Sequence, residues 1–125
     1  MTKIEQFQKM IDNSKNIVFF GGAGVSTASG IPDFRSATGL YSQNDKHKYP
    51  PEVMLSHTFY QNHTKEFFEF YKNEMCALGY EPCETHKKIA ELEKAGKVKT
   101  VITQNIDGLH QKAGSKNVIE LHGTI

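Results

Sequence analysis

Ile17-Val18-Phe19-Phe20-Gly21-Gly22-Ala23-Gly24-Val25-Ser26-Thr27-Ala28-Ser29-Gly30-Ile31-Pro32-Asp33-Phe34-Arg35 runs from an apolar segment into glycines and leaves through a rigid, charged exit. The β-branched and aromatic run, with Asn16 before it and glycines after it, predicts a strand buried on both faces of a parallel sheet. Turn glycines lack side chains, so their backbone N–H groups can approach a phosphate closely. The start of a following helix adds a partial positive charge. The stretch therefore predicts a nucleotide site at the carboxyl end of a parallel strand. The dinucleotide fingerprint Gly-x-Gly-x-x-Gly is incomplete, because Gly22-Ala23-Gly24-Val25-Ser26-Thr27 lacks the third glycine. A plain tight loop is the alternative at this point. The exit Ile31-Pro32-Asp33-Phe34-Arg35 adds a proline, an acid, an aromatic and a base, four properties that a purely structural loop seldom needs.

The chain has 125 residues, about one domain, with 38% hydrophobic residues and a net charge of +1. That balance gives no basic groove for nucleic acid and no patch for an anionic membrane. The apolar runs are shorter than the ~20 residues that cross a bilayer. Met1-Thr2-Lys3-Ile4-Glu5 mixes charges and is no signal peptide, so a cytoplasmic protein is expected. Cys76 and Cys83 lie apart with no Cys-x-x-Cys pair, so both are expected to be ordinary thiols and no metal site is expected.

Thr2 and Glu5 have capping-box spacing, and Ile4, Phe7 and Ile11 make residues 3 to about 14 an amphipathic helix. The first strand covers about 16–21, and a short helix is expected around 25–29. Gly30 to about Pro51 reads as a long irregular loop of the kind that binds or covers ligands. Residues 52–79 read as helical, with Ser56 capping one segment and an aromatic stripe that belongs to a core. Glu84 or Thr85 is expected to cap a helix that continues to Ala95. Val98–Thr103 and 118–121 are the second and third strands, with a short helix about 107–113 between them. The alternation predicts an α/β fold, a partial Rossmann-like parallel sheet of about three strands with a helical insertion.

Parallel strands bring their carboxyl ends to one edge, where open α/β sheets bind ligands. That edge would collect the glycine turn, Asp33, Arg35, Gln104, Asn105, Asp107 and His122. Helix capping by Asn105 or Asp107, and a plain strand-end histidine, remain the bland readings.

Five segments together resemble one family. They are Gly22-Ala23-Gly24-Val25-Ser26, Gly30-Ile31-Pro32-Asp33-Phe34-Arg35, Gly39-Leu40-Tyr41, Thr103-Gln104-Asn105-Ile106-Asp107-Gly108-Leu109-His110 and Glu120-Leu121-His122-Gly123. In order and spacing they are similar to the motifs of the sirtuins, the NAD-dependent protein lysine deacylases. The resemblance implies NAD as cofactor and an acetylated protein or peptide as substrate. It implies that Gly22, Ala23 and Gly24 meet the cofactor's phosphates and that Asp33, Phe34 and Arg35 belong to a loop that orders over the nicotinamide ribose. Gln104 would bond the ribose, and Asn105, Ile106 and Asp107 would line the nicotinamide pocket. His122 would be the general base, with Asn105 and Asp107 as its catalytic companions. In the implied reaction nicotinamide leaves an oxocarbenium-like centre and the acyl-lysine oxygen attacks the ribose. A base then deprotonates a ribose hydroxyl, and the products are lysine, nicotinamide and O-acetyl-ADP-ribose.

Two departures matter. Sirtuins that prefer acidic acyl groups share a Tyr-x-x-Arg pair, whereas Tyr71-Lys72-Asn73-Glu74 here ends in an acid. Deacetylation over desuccinylation is therefore expected. In the family a zinc module with four cysteines follows the catalytic histidine, and its ligands are absent here. The chain is thus expected to be an amino-terminal portion of a catalytic domain, inactive alone. It would divide into a first Rossmann unit with the cofactor loop (3–49), a helical insertion (50–80) and a Rossmann continuation (81–125). The alternatives are an ADP-ribosyltransferase or NAD hydrolase, or a non-catalytic NAD-binding or interaction fragment.

Overall fold

A computed structural model describes residues 1–76 and 78–125, and of residue 44 only the backbone. Helix α1 spans Lys3–Asn13. Its capping box is formed as expected: the Glu5 N–H donates to Thr2 Oγ1 (3.1 Å) and the Thr2 N–H to Glu5 Oε2 (2.6 Å). At its other end Lys97 donates through Nζ to the carbonyls of Ile11 (3.1 Å), Asp12 (2.8 Å) and Ser14 (3.3 Å). One cation thereby satisfies orphan carbonyls of α1 and ties the helix to the entrance of a strand.

Strands β1 (Ile17–Gly21), β2 (Val98–Thr103) and β3 (Val118–Glu120) form a parallel sheet in the order β1-β2-β3. Phe19 pairs with Val101, and Val101 with Val118. Ile89 and Leu92 of helix α5 (Glu84–Lys94) cover the face that carries Ile17, Phe19, Val101 and Val118. The other face is open: Val18 is 57% exposed, Phe20 60% and Ile119 48%. The expectation that the first strand is buried on both faces is therefore corrected. An uninterrupted apolar run is the pattern of a two-sided strand, but the described helices supply a cover for one side.

The glycine turn becomes a 3-10 helix over Ala23–Ser29, longer than the short helix expected. Gly30 ends it at φ 97, a left-handed value that a side chain disfavours. The segment after it stays irregular as far as Pro50, broken by 3-10 turns at Leu40–Ser42 and Asn44–Lys46.

The helical stretch expected over 52–79 forms several short segments, and its position 77 lies outside the described residues. Pro51 opens α2 (Pro51–Met54), and Ser56 caps α3 (His57–Asn62) by accepting the Phe59 N–H at 3.1 Å. His63, at φ −133 and ψ 52, separates α3 from α4 (Thr64–Phe70), which ends in a π-helical turn over Tyr71–Met75. The breaks wrap the aromatics around a second core of Leu40, Met54, Phe59 and Phe70. Phe34 and Leu40 of the irregular segment pack into that core, which fixes the segment against the helices.

Cys83, not Glu84 or Thr85, is the N-cap of α5. Helix α6 (Leu109–Ala113) follows β2 and contacts α5. No described helix is long and apolar enough to cross a membrane.

Candidate functional site

The carboxyl ends of all three strands meet one cavity of about 830 Å³. Ala23, Asp33, Phe34, Arg35, Gln104, Asn105, Ile106, Asp107 and His122 line it together. Gly22 and Gly24 do not line it. Gly22 sits where a side chain would reach within 3.2 Å of Gln104 Oε1, and Gly24 faces open space. Gln104 is anchored by its N–H to the Gly21 carbonyl (3.0 Å), which continues the β1–β2 ladder into the loop.

Beneath the cavity lies a directional hydrogen-bond network. Ser26, 1% exposed, donates through Oγ to Asp107 Oδ2 at 2.6 Å. Asn105 Nδ2 donates to the Gly22 carbonyl (2.9 Å) and to Ser26 Oγ (3.2 Å). His86, fully buried, accepts the Cys83 N–H on Nδ1 at 3.1 Å. An imidazole that accepts on Nδ1 carries its proton on Nε2, which lies 3.4 Å from Ser26 Oγ. The Ser26 hydroxyl thus accepts from Asn105 and His86 and has its own proton directed at Asp107. The second Asp107 oxygen accepts the Leu109 N–H at 3.0 Å.

Burial holds His86 below the ordinary histidine range, against the pull of Asp107. Burial, reinforced by His86, pushes His110 down to about 4, again opposed by Asp107. The two rings meet edge-on at 4.8 Å. Both are therefore neutral at pH 7, and Asp107 is the charged member of the cluster.

His110 gives a pH signature. In the unfolded chain it titrates near 6.5. Between that value and about 4 the unfolded state binds a proton that the folded state refuses, so stability falls as pH drops. The loss at pH 5 is expected to be about 1–2 kcal/mol. Thermal midpoints of the protein at pH 7 and pH 5 should differ accordingly, and His110→Phe should shrink the difference to the part His86 supplies. A pH dependence untouched by that substitution would assign the effect elsewhere.

Ser26 and His86 of the network, and His110 packed edge-on against His86, had no site role in the sequence reading. Ser26 sat within a quoted motif, and His86 read as one more position of a helix. The signal that could have singled out His86 is its spacing from Cys83, which makes it the third residue of α5 and turns its ring back to the cap. Among the described residues, no group of three or more His, Cys, Asp or Glu side chains is gathered to hold a metal ion. Cys76 and Cys83 are free.

A family model described as the Sir2 family matches residues 22–125. An "NAD-dependent protein deacetylase" of Clostridium acetobutylicum is 58% identical over 125 residues, which is 100% of this chain and 51% of that protein. A solved structure of a Sir2 variant with a deacetylated p53 peptide and 3'-O-acetyl-ADP-ribose superposes with a TM-score of 0.88 at 40% identity, covering 99% of this chain and 48% of that one. A Sir2–p53 peptide–NAD+ structure gives a TM-score of 0.80 at 44% identity, covering 99% and 47%. The chain spans about half the length of the curated relatives it matches.

Proposed function

The chain belongs to the Sir2 family, and from that premise we propose that the complete protein is an NAD-dependent protein lysine deacetylase, to which these residues contribute the nicotinamide side of the site. The reading is supported by similar proteins named as such deacetylases and by a similar structure that holds a p53 peptide with NAD+. The single observation that carries it is the Asn105–Ser26–Asp107 arrangement under the cavity. Both Asn105 amide protons are committed inside the protein, so its carbonyl oxygen is what a ligand would meet. Asp107 is a carboxylate with lone pairs to spare. A pair of acceptors suits the N–H₂ group of a carboxamide.

The residues fit the cofactor in two respects. The glycine turn leaves its backbone approachable, and the first N–H groups of its 3-10 helix have no partner within that helix. When bound, NAD would supply an anomeric carbon whose leaving group is nicotinamide. Ala23 and Gly24 would meet the phosphates, Gln104 the ribose, and Asn105, Ile106 and Asp107 the carboxamide. Phe34 and Arg35 would exclude water, and His122 would take a proton from a ribose hydroxyl. The substrate class we propose is an acetylated protein or peptide in the cytoplasm. Glu74 lines the cavity and pairs with Lys46 at 2.7 Å. An acid in that wall favours a neutral acetyl over a succinyl group.

Nicotinamide release by the complete protein, with matched acetyl and succinyl peptides and with none, tests the reading. Release that requires the acetyl peptide is the expected result. Release without peptide would make the protein an NAD hydrolase or ADP-ribosyltransferase. Binding of NAD without turnover would make it a non-catalytic binder, and faster desuccinylation would remove the role given to Glu74.

A further inference from the structure

On the side of the helical insertion the cavity wall is nearly free of charge. Leu55, Asn73, Glu74, Met75 and Tyr80 line it, and of these only Glu74 carries a formal charge. Glu74 falls in the π-helical turn Tyr71–Met75, which the Cys76 N–H closes on the Tyr71 carbonyl at 3.1 Å. That wider turn leaves the α-helical register. Glu74 meets the irregular segment instead of a helix neighbour: Lys46 donates through Nζ to Glu74 Oε1 at 2.7 Å. His47 Nε2 lies 3.6 Å from the same oxygen, too far for a hydrogen bond, and its ring is edge-on to Phe70 at 5.0 Å. Lys46 does not line the cavity. Its side chain is 55% exposed and that of Glu74 16%. The acid therefore sits in the wall, and its cation stands behind it in water. Solvent screens the exposed lysine more than the half-enclosed carboxylate, so Lys46 cancels part of the Glu74 charge and leaves a negative remainder at the wall.

We propose that Lys46, a residue outside the cavity, sets with Glu74 which acyl charge the pocket accepts. Glu74 presents the charge, and Lys46 fixes how much of it an arriving acyl group meets. The inference rests on the acyl-lysine reading above and adds a second specificity-determining residue to it. Its signature is a pair of opposite signs. Removing the lysine exposes the full carboxylate and turns an acidic acyl group away more strongly. Removing the acid leaves the lysine as the nearest charge and draws the same group in. A clamp that merely joined the irregular segment to the helices would act alike on neutral and acidic acyl groups.

The test is the affinity of the complete protein for matched succinyl and acetyl peptides, measured by calorimetry without NAD so that no turnover intervenes. The readout is the ratio of the two affinities. Lys46→Ala should lower the succinyl-to-acetyl ratio about threefold, and Glu74→Gln should raise it about tenfold. Lys46→Arg keeps the charge and should hold the ratio within about twofold of the parent. The double variant should fall between the two single ones, because both charges are gone. Added salt should shrink both shifts. Single variants that move the ratio in the same direction overturn the inference, and so do variants that weaken both peptides equally. Nicotinamide release after NAD is added separates the two readings. Peptides that bind with the expected ratios and release none would fail the deacetylase reading and support the charge pair. A complete protein that binds neither peptide would overturn both.

Discussion

Replacing His122 by alanine in the complete protein is expected to lower acetyl-peptide turnover by about 10²–10⁴-fold while NAD affinity moves by less than about threefold. That loss corresponds to roughly 3–5 kcal/mol of transition-state stabilisation. The asymmetry follows from where the side chain sits. His122 is exposed, it lines the cavity just past β3, and among the described residues its ring makes no hydrogen bond. It is placed by its neighbours: the Leu121 N–H reaches the Thr103 carbonyl (3.0 Å), and the Gly123 N–H turns back to the Glu120 carbonyl (3.2 Å). A side chain with no structural partner can be removed without loosening the fold, so the thermal midpoint should hold. His122→Gln sharpens the test. Glutamine can donate and accept hydrogen bonds but cannot take a proton near neutral pH, so a base role predicts that it fails as fully as alanine. Turnover retained by either variant would place the base elsewhere. A parallel collapse of NAD affinity would make His122 a binding group instead.

The strands and the edge they share were legible in the sequence because each is a short apolar run closed by glycine or polar residues. Ile17–Gly21 and Val98–Thr103 fall within a residue or two of their expected bounds. That Gln104, Asn105, Asp107 and His122 would gather at one edge was legible for the same reason, since parallel strands send their carboxyl ends there. What a strand faces was not legible. Val18 and Phe20 have the residue types of a covered face, and their exposure depends on which helices lie over them. The break at His63 within 52–79 was also hidden, because apolar residues recur on both sides of it and the second core decides where the chain turns. Least visible was the Ser26 network. Its bonds to His86 and Asp107 join residues 60 and 81 positions apart, and no local pattern carries that information. Cys83 as cap was missed because serine, threonine, aspartate and asparagine dominate such positions. Here the His86 ring serves the backbone N–H that a capping-box side chain ordinarily reaches.

Asp107→Asn is expected to weaken both NAD and free nicotinamide by about 10–100-fold, because it disturbs the network at its one charged member. The Ser26 hydroxyl already accepts from Asn105 and faces the His86 Nε2 proton, so its two lone pairs are engaged. Its own proton needs an acceptor, and Asp107 Oδ2 at 2.6 Å supplies it. An amide at position 107 can offer its oxygen to Ser26 or to the Leu109 N–H, but not to both. Whichever bond it keeps, an N–H₂ group then confronts a donor, and the partner is left buried without an acceptor. Ser26→Ala removes the hydroxyl but leaves the carboxylate, so its penalty should be smaller, about tenfold. The decisive measurement is the double variant. If Ser26 acts by aiming Asp107, combining Ser26→Ala with Asp107→Asn should cost little more than Asp107→Asn alone. Penalties that simply multiply would mean that the two residues meet the ligand independently. Nicotinamide affinity measured without NAD separates the carboxamide pocket from the rest of the cofactor site, and it should track the NAD result if the network serves that pocket.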